Sequence, residues 1–248
     1  MLTFEDLINN PVGSGSGNVA ARYLIKNVMQ SRAQALIEGR RVTYKVYFDS
    51  KEDIFIHFKV GSESFEKLSY DVVFHLSPQS EVQANIRSIS KYSLKLMSNI
   101  PAFAYTYAYT LNESDLVIDF LKDKFDDQFW TMPPLQRNPA QTFGFEKSLQ
   151  FAALTLKRAG MMDINQLKLV ATKVSDVRKT IHSEFEAFSS KLLEYHNLKM
   201  AASKVIKERK DAKRETRSTK IGASRKISSE SGRTPRSPGT ARKPQRGN

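Results

Sequence analysis

No cysteine occurs in the 248 residues. That absence excludes disulfides and thiolate-bound metal, and it fits a reducing compartment. No stretch approaches 18 uninterrupted apolar residues, so no membrane-spanning helix and no membrane partner are expected. The opening MLTFEDLINN carries acids where a secretory leader needs bases and has no apolar centre, so no standard signal peptide is expected. Histidine is scarce: His57, His75, His182 and His196 form no ligand spacing, and no carboxylate sits at a matching sequence offset. The run Gly13-Ser14-Gly15-Ser16-Gly17 lacks the Lys-Ser/Thr pair of a phosphate loop. Asn18-Val19 follow it and no strand precedes it, so it reads as a flexible connector. No catalytic constellation stands out. The chain is read as a non-enzyme with no cofactor and no metal site.

Charge is present, and it is unevenly placed. From Lys204 to Asn248 there are 15 Lys or Arg against 4 acids, whereas residues 1–203 hold 24 against 22. The body is close to neutral and the C-terminal segment carries nearly all of the net +13. That segment has no Phe, Trp or Tyr and few large apolar residues, so composition predicts order only to about Thr216. A basic segment of this kind is drawn to polyanions by charge, without base readout. The expected phosphate contacts are Lys204, Lys207, Arg209, Lys210, Lys213, Arg214, Arg217, Lys220, Arg225, Lys226, Arg233, Arg236, Arg242, Lys243 and Arg246. The alternative is a solubilising or tethering tail.

The periodicity predicts an α+β fold: an antiparallel or mixed sheet of about five strands with flanking helices, a long C-terminal helix and a disordered basic tail. The expected divisions are an N-terminal arm and linker (1–17), an α+β domain (18–162), a long helix or coiled-coil segment (163–203) and the basic tail (204–248). Thr3–Asn9 reads as a short helix capped by Thr3, and Asn18–Glu38 as a helix closed by Gly39 and basic on its outer side. Val42–Phe48 and Ile54–Val60 alternate and are joined by polar Asp49–Asp53, as in a hairpin. Tyr70–Leu76 and Ile89–Ser98 add two strands. The fifth is Ala102–Leu111, AFAYTYAYTL, in which large and small residues alternate strictly. It reads as a core strand, or as an aromatic platform for stacking nucleic-acid bases.

Beyond Asn112 the period becomes helical. Ser114 is placed to cap Asp115–Phe125, which would set Asp115, Asp119 and Asp123 on one face. Such a row could hold Mg²⁺ but reads first as a solvated acidic surface. The loop at Phe129-Trp130-Thr131-Met132-Pro133-Pro134 is expected to pack over a core edge or meet a partner. Phe143–Ala159 reads as a helix capped by Gly160. From Leu167 to Tyr195 apolar residues step by threes and fours, with a stutter between Ile181 and Phe185, predicting a single helix from Asp163 to about Arg214. Such a helix would form an arm, a hairpin or a coiled coil, the last making the chain a homo-oligomer.

Five segments, YDVVFHLSP (70–78), SNIPAFAYTYAY (98–109), DLVIDFLKDKF (115–125), PPLQRNP (133–139) and FGFEKSLQFAALTL (143–156), together resemble a group of uncharacterised tailed-bacteriophage proteins. The resemblance spans roughly residues 42–160 and brings no catalytic motif with it. It implies a viral origin and a place in the virion or in the infected host's cytoplasm. The function expected is that of a phage structural or assembly protein with other virion proteins and DNA as partners. The alternative is a nucleic-acid-binding accessory protein of replication, packaging or host regulation. A third class, a metal-dependent nuclease, would have to draw on Asp115, Asp119 and Asp123.

Overall fold

The computed structural model describes residues 2–9, 34–35, 38–39, 41–50, 52–78, 87–138 and 146–230, with side chains as far as 212. The chain divides into two units, Met1–Asn197 and Leu198–Asn248. The expected Gly/Ser connector and most of the helix Asn18–Glu38 lie outside the described residues. Gln34, Ala35 and Glu38 are helical, and the Gly39 N–H donates to the Ala35 carbonyl at 3.0 Å.

The first unit is α+β. Its strands are β1 (Val42–Phe48), β2 (Ile54–Gly61), β3 (Ser69–Ser77) and β4 (Ser93–Ser98). They form one antiparallel meander in the order β1-β2-β3-β4, so the described sheet has four strands where the sequence predicts five. The helices are α1 (Phe4–Asn9), α2 (Ala108–Glu113), α3 (Gln128–Thr131), α4 (Lys147–Arg158), α5 (Ile164–Val170), α6 (Val177–Glu184) and α7 (Phe188–Glu230). A π-turn over Phe103–Tyr107 runs into α2, and 3-10 turns span Ile89–Lys91 and Asp119–Lys124.

The period-two pattern of β1, β2 and β3 translates directly into register. Ile56 lies opposite Phe74 and Phe58 opposite Val72, and Leu96 of β4 also faces Phe74. Because alternate residues share a face, this side of the sheet is largely apolar, with Ser98 opposite Val72 an exception. Phe4 of α1 meets Phe74 edge-on at 5.8 Å, and α4 packs on both α1 and the central strands. The opposite side is mixed: Lys45 and Tyr47, then Phe55, His57 and Lys59, then Asp71, Val73 and His75. Polar side chains on a covered sheet face must find partners.

Both sheet edges are occupied by the same chain. The Leu94 and Leu96 N–H groups of β4 donate to the Leu2 and Leu116 carbonyls (both 2.9 Å), and the Thr172 N–H donates to the Val46 carbonyl of β1 (2.7 Å). These short pairings blunt the edges against further strand addition.

The local capping chemistry follows the sequence. Thr3 Oγ1 accepts from the Asp6 N–H (3.2 Å), while the Asp6 carboxylate accepts from the Thr3 N–H (2.9 Å) and hydroxyl (2.7 Å), a reciprocal cap of the capping-box kind. Gly160 has φ +72° beyond α4. Its N–H reaches the Lys157 carbonyl and the Met161 N–H reaches the Leu156 carbonyl, closing the helix by a Schellman pair.

Four expectations are corrected. Ala102–Leu111 is not a strand but the π-turn and most of α2. Pro101 starts a helical turn, and the buried set is Phe103, Ala104, Ala108, Thr110 and Leu111, not every second residue. β4 consequently pairs with β3, and it begins at Ser93 because Ile89–Lys91 forms a 3-10 turn. The helix Asp115–Phe125 is only the 3-10 turn Asp119–Lys124. Ser114 closes α2 instead of opening a helix, and Asp115 turns the chain at φ 54°. The single helix from Asp163 is three: Asp163 caps α5, Asp176 caps α6, and between them Ala171 bridges to Val46 of β1. The stutter between Ile181 and Phe185 leads directly into the break between α6 and α7.

Candidate functional site

The expected phosphate-contacting residues fall in three groups. Lys204, Lys207, Arg209 and Lys210 are exposed on α7. Lys213, Arg214, Arg217, Lys220, Arg225 and Lys226 occupy backbone positions in the same helix, which continues to Glu230, beyond the Thr216 limit set by composition. Arg233, Arg236, Arg242, Lys243 and Arg246 lie outside the described residues.

Helical geometry sorts these residues in a way their sequence order hides. At about 100° per residue, Lys207, Arg209, Lys210, Lys213, Arg214, Arg217, Lys220 and Arg225 fall within a sector about 160° wide. Lys199, upstream, falls in the same sector. The four acids, Glu208, Asp211, Glu215 and Glu230, fall within a sector about 100° wide on the far side. Only Lys204 and Lys226 sit among the acids. The signal that sequence reading missed is the 3-4-3 spacing of Lys207, Lys210, Arg214 and Arg217, which has meaning only on a helix.

A second constellation lies on the mixed face of the sheet. Asp71 is fully buried, and its register places it opposite Lys59 and diagonal to His57. Oδ1 accepts from His57 Nε2 (2.7 Å) and from Lys59 Nζ (2.7 Å). Oδ2 accepts from Asn99 Nδ2 (2.9 Å) and from the Glu186 backbone N–H (3.1 Å). Asn99 returns its side-chain oxygen to the Asp71 N–H at 2.8 Å and reaches the Glu186 carbonyl at 3.0 Å. Burial alone would raise the Asp71 carboxyl. The bonds from His57 and Lys59 outweigh it and hold the carboxyl below the ordinary range.

The network continues outward. His57 Nδ1 faces Glu184 Oε2 at 3.3 Å, and Glu184 also accepts from Tyr47 (3.1 Å) and Lys45 (2.6 Å). Glu186 accepts from Lys59 and from Lys191, a nearly buried amine on α7, both at 2.9 Å. Glu184 and Glu186 are pushed up by burial and pulled down further by these partners, ending below their ordinary value. A cavity of about 440 Å³ opens beside His57, lined by Thr43, Tyr44, Lys45, Lys59 and Glu184. Both imidazole nitrogens and all four acceptor directions of Asp71 are spent on protein groups. The arrangement is therefore a brace that pins the α6–α7 junction to the sheet. The carboxylate partner of His57 leaves no local sequence signal, because it lies 14 residues away in sequence and one strand over.

The aspartate row does not form one face. Asp115 and Asp119 both reach Lys95, at 2.5 and 3.7 Å, Asp119 also pairs with Lys122 at 2.7 Å, and Asp123 turns to His182 at 2.8 Å. Lys122 is the main cause of the lowered Asp119 carboxyl. Among the described residues no group of three or more His, Asp or Glu has the geometry to hold a metal ion. Trp130, expected over a core edge, is buried there, with its indole N–H on the Lys122 carbonyl at 3.2 Å and its ring 5.2 Å from Phe125. No family model, no curated protein and no solved structure matches this chain.

Proposed function

We propose that the chain is a non-enzymatic structural or assembly protein of a phage particle and that its basic C-terminal helix contacts DNA. The observation that carries the DNA contact is the segregation of charge on α7. Eight Lys or Arg positions share one helical sector and the acids occupy the other. A helix with one cationic side can follow a row of phosphates while its acids face away, and each neutralised phosphate releases counterions. The near-neutral α+β body, its polar groups internally paired and its sheet edges blunted, serves as the scaffold, in contact with other virion proteins or further copies of itself. The viral part of the reading is supported by the resemblance of roughly residues 42–160 to tailed-phage proteins.

The test is duplex-DNA binding by the full chain across a salt series. Replacing Lys207, Lys210, Arg214 and Arg217 by Gln should flatten the log–log salt slope by about 3 to 4, at about 0.9 per phosphate. Replacing Lys204 and Lys226, on the acidic side, should change it little. Equal effects from both sets would defeat the face-specific contact, and no duplex binding by the intact chain would remove the DNA reading altogether. Mass spectrometry of purified particles tests the other half. Binding without incorporation would shift the assignment to an accessory protein acting in the infected cell.

A further inference from the structure

The alternating segment Ala102–Leu111 is divided by helical geometry into an inner and an outer set. The π-turn closes with the Ala108 N–H on the Phe103 carbonyl, five residues back. That wide turn lets Phe103 and Ala108 both face the core, each fully buried, with Leu111 beside them. Tyr105 and Tyr109, four apart, are left on the other side, and both line a pocket of about 260 Å³. Turns of this type are rare and recur at functional sites.

The pocket is held from two directions. Tyr105 is fixed from behind by the rings of Phe129 and Phe188, both edge-on, at 5.3 and 5.8 Å, and the Arg137 guanidinium lies 5.5 Å from its centroid. The Asn138 side chain donates to the Thr106 carbonyl at 3.1 Å, tying the loop after Pro134 to the π-turn. The Arg137 and Asn138 N–H groups both close on the Pro134 carbonyl, at 3.1 and 2.8 Å. The stacking surfaces are therefore set before any ligand arrives.

The chemistry of the walls selects the ligand. The volume lies just below the range of about 300–1,000 Å³ that holds drug-sized molecules, so it suits one planar ring system. Two tyrosine rings and a guanidinium plane offer stacking faces, and the exposed amides of Gln128 and Gln136 offer both donors and acceptors to a ring edge. Arg137 also suits a phosphodiester, whereas the exposed Asp126 and Asp127 just before Gln128 repel one, so the phosphate belongs on the Arg137 side. We infer that this pocket stacks an unpaired base of a single-stranded nucleic acid. The inference rests on the nucleic-acid reading above and adds a second contact, distinct in kind from the phosphate-tracking helix.

The test uses the full chain, a short labelled oligothymidylate and a duplex of matched length. Binding of the single strand is measured at about 0.3 M salt, where pure phosphate contacts are weakened. Tyr109→Ala should weaken it about fivefold to 150-fold, the usual worth of one stacked base, and Arg137→Gln should weaken it in the same direction. Duplex affinity should stay within about twofold, because it depends on the helix. Photocrosslinking with a bromodeoxyuridine-containing strand should mark peptides from 101–113 or 128–138. Three results would overturn the inference: crosslinks confined to residues beyond 198, single-strand affinity unmoved by both substitutions, or substitutions that disturb only a contact with another particle protein. Each leaves the duplex result, and with it the helix reading, to be judged separately.

Discussion

Glu146 is the group whose titration should be visible in the stability of the whole body. It caps α4, accepting from the Ser148 N–H at 2.7 Å, and it is almost fully buried. Burial pushes its carboxyl up to about 7, against the opposing pull of Ser148 and of Lys147, which is itself paired with Glu63. The folded chain therefore holds this proton over a range in which the unfolded chain has already released it. Below the ordinary value of 4.5 both states are protonated and the group contributes no pH dependence. Between 4.5 and about 7 stability falls as pH rises, by about 1.4 kcal/mol per pH unit, and the loss reaches about 3 kcal/mol above that.

Glu146→Gln removes the titration and keeps an oxygen that can accept from Ser148. The urea midpoints of the two proteins should therefore diverge steadily from about pH 4.5 to pH 7 and run parallel above. The Gln variant should gain about 3 kcal/mol relative to its own offset at low pH. Other titrating groups cancel in the difference. Asp71, Glu184 and Glu186 are lowered and shed their contributions on the acid side of the window, and the Tyr70 and Tyr107 phenols near Glu146 are raised well above it. Parallel curves throughout would refute the reasoning and show that Glu146 is hydrated or repositioned in the folded state.

Asp71→Asn should cost about 1–3 kcal/mol in urea unfolding, because it removes the buried carboxylate on which His57, Lys59, Asn99 and the Glu186 N–H converge. A loss under about 1 kcal/mol would show that the network is not a brace. The lowered carboxyls of Asp71, Glu184 and Glu186 should add stability that is complete above their ordinary values and disappears as pH falls through the lowered ones, seen as an acid-side drop in melting temperature. Phe125→Ala should cost about 3–5 kcal/mol, since that ring meets Phe103, Phe129, Trp130, Phe185 and Phe188 within 6.5 Å. Gly160→Ala should cost about 1–2 kcal/mol from backbone conformation alone, because a Cβ there meets nothing within 4 Å at φ +72°. Gly160→Asn should recover part of that.

The hairpin of β1 and β2, strand β3, the cap of α1 and the end of α4 were legible because each is decided locally. Alternation, a polar connection, a Thr-Asp pair and a glycine suffice. In Ala102–Leu111 alternation of size is not alternation of burial. Tyr105, Tyr107 and Tyr109 carry polar ends and tolerate partial exposure, so three of the five large side chains were never committed to the core. The run from Leu167 to Tyr195 is a related case. Its threes and fours persist across two breaks because α5, α6 and α7 each bury residues in one core, and the core, not one helix, sets the spacing. The two breaks without Gly or Pro are made by Asp176, whose carboxylate caps α6, and by Glu186, whose N–H is taken by Asp71.

That last bond shows why the brace itself was invisible in one dimension. Asp71 is a lone acid in an apolar strand, and on sequence alone it invites either a misplaced strand or a solvent-facing edge. Folding gives it four donors drawn from β2, from Asn99 just beyond β4, and from the α6–α7 junction, three stretches widely separated in sequence. The basic face of α7 was hidden by the opposite error. Its residues are contiguous, but composition alone treats them as interchangeable charges, whereas a helix makes Lys204 and Arg209 face different ways, about 140° apart. Position on a regular backbone, rather than the count of bases, is what turns a cationic tail into a surface with a direction. The salt-slope comparison between the two sets of lysines and arginines measures that direction.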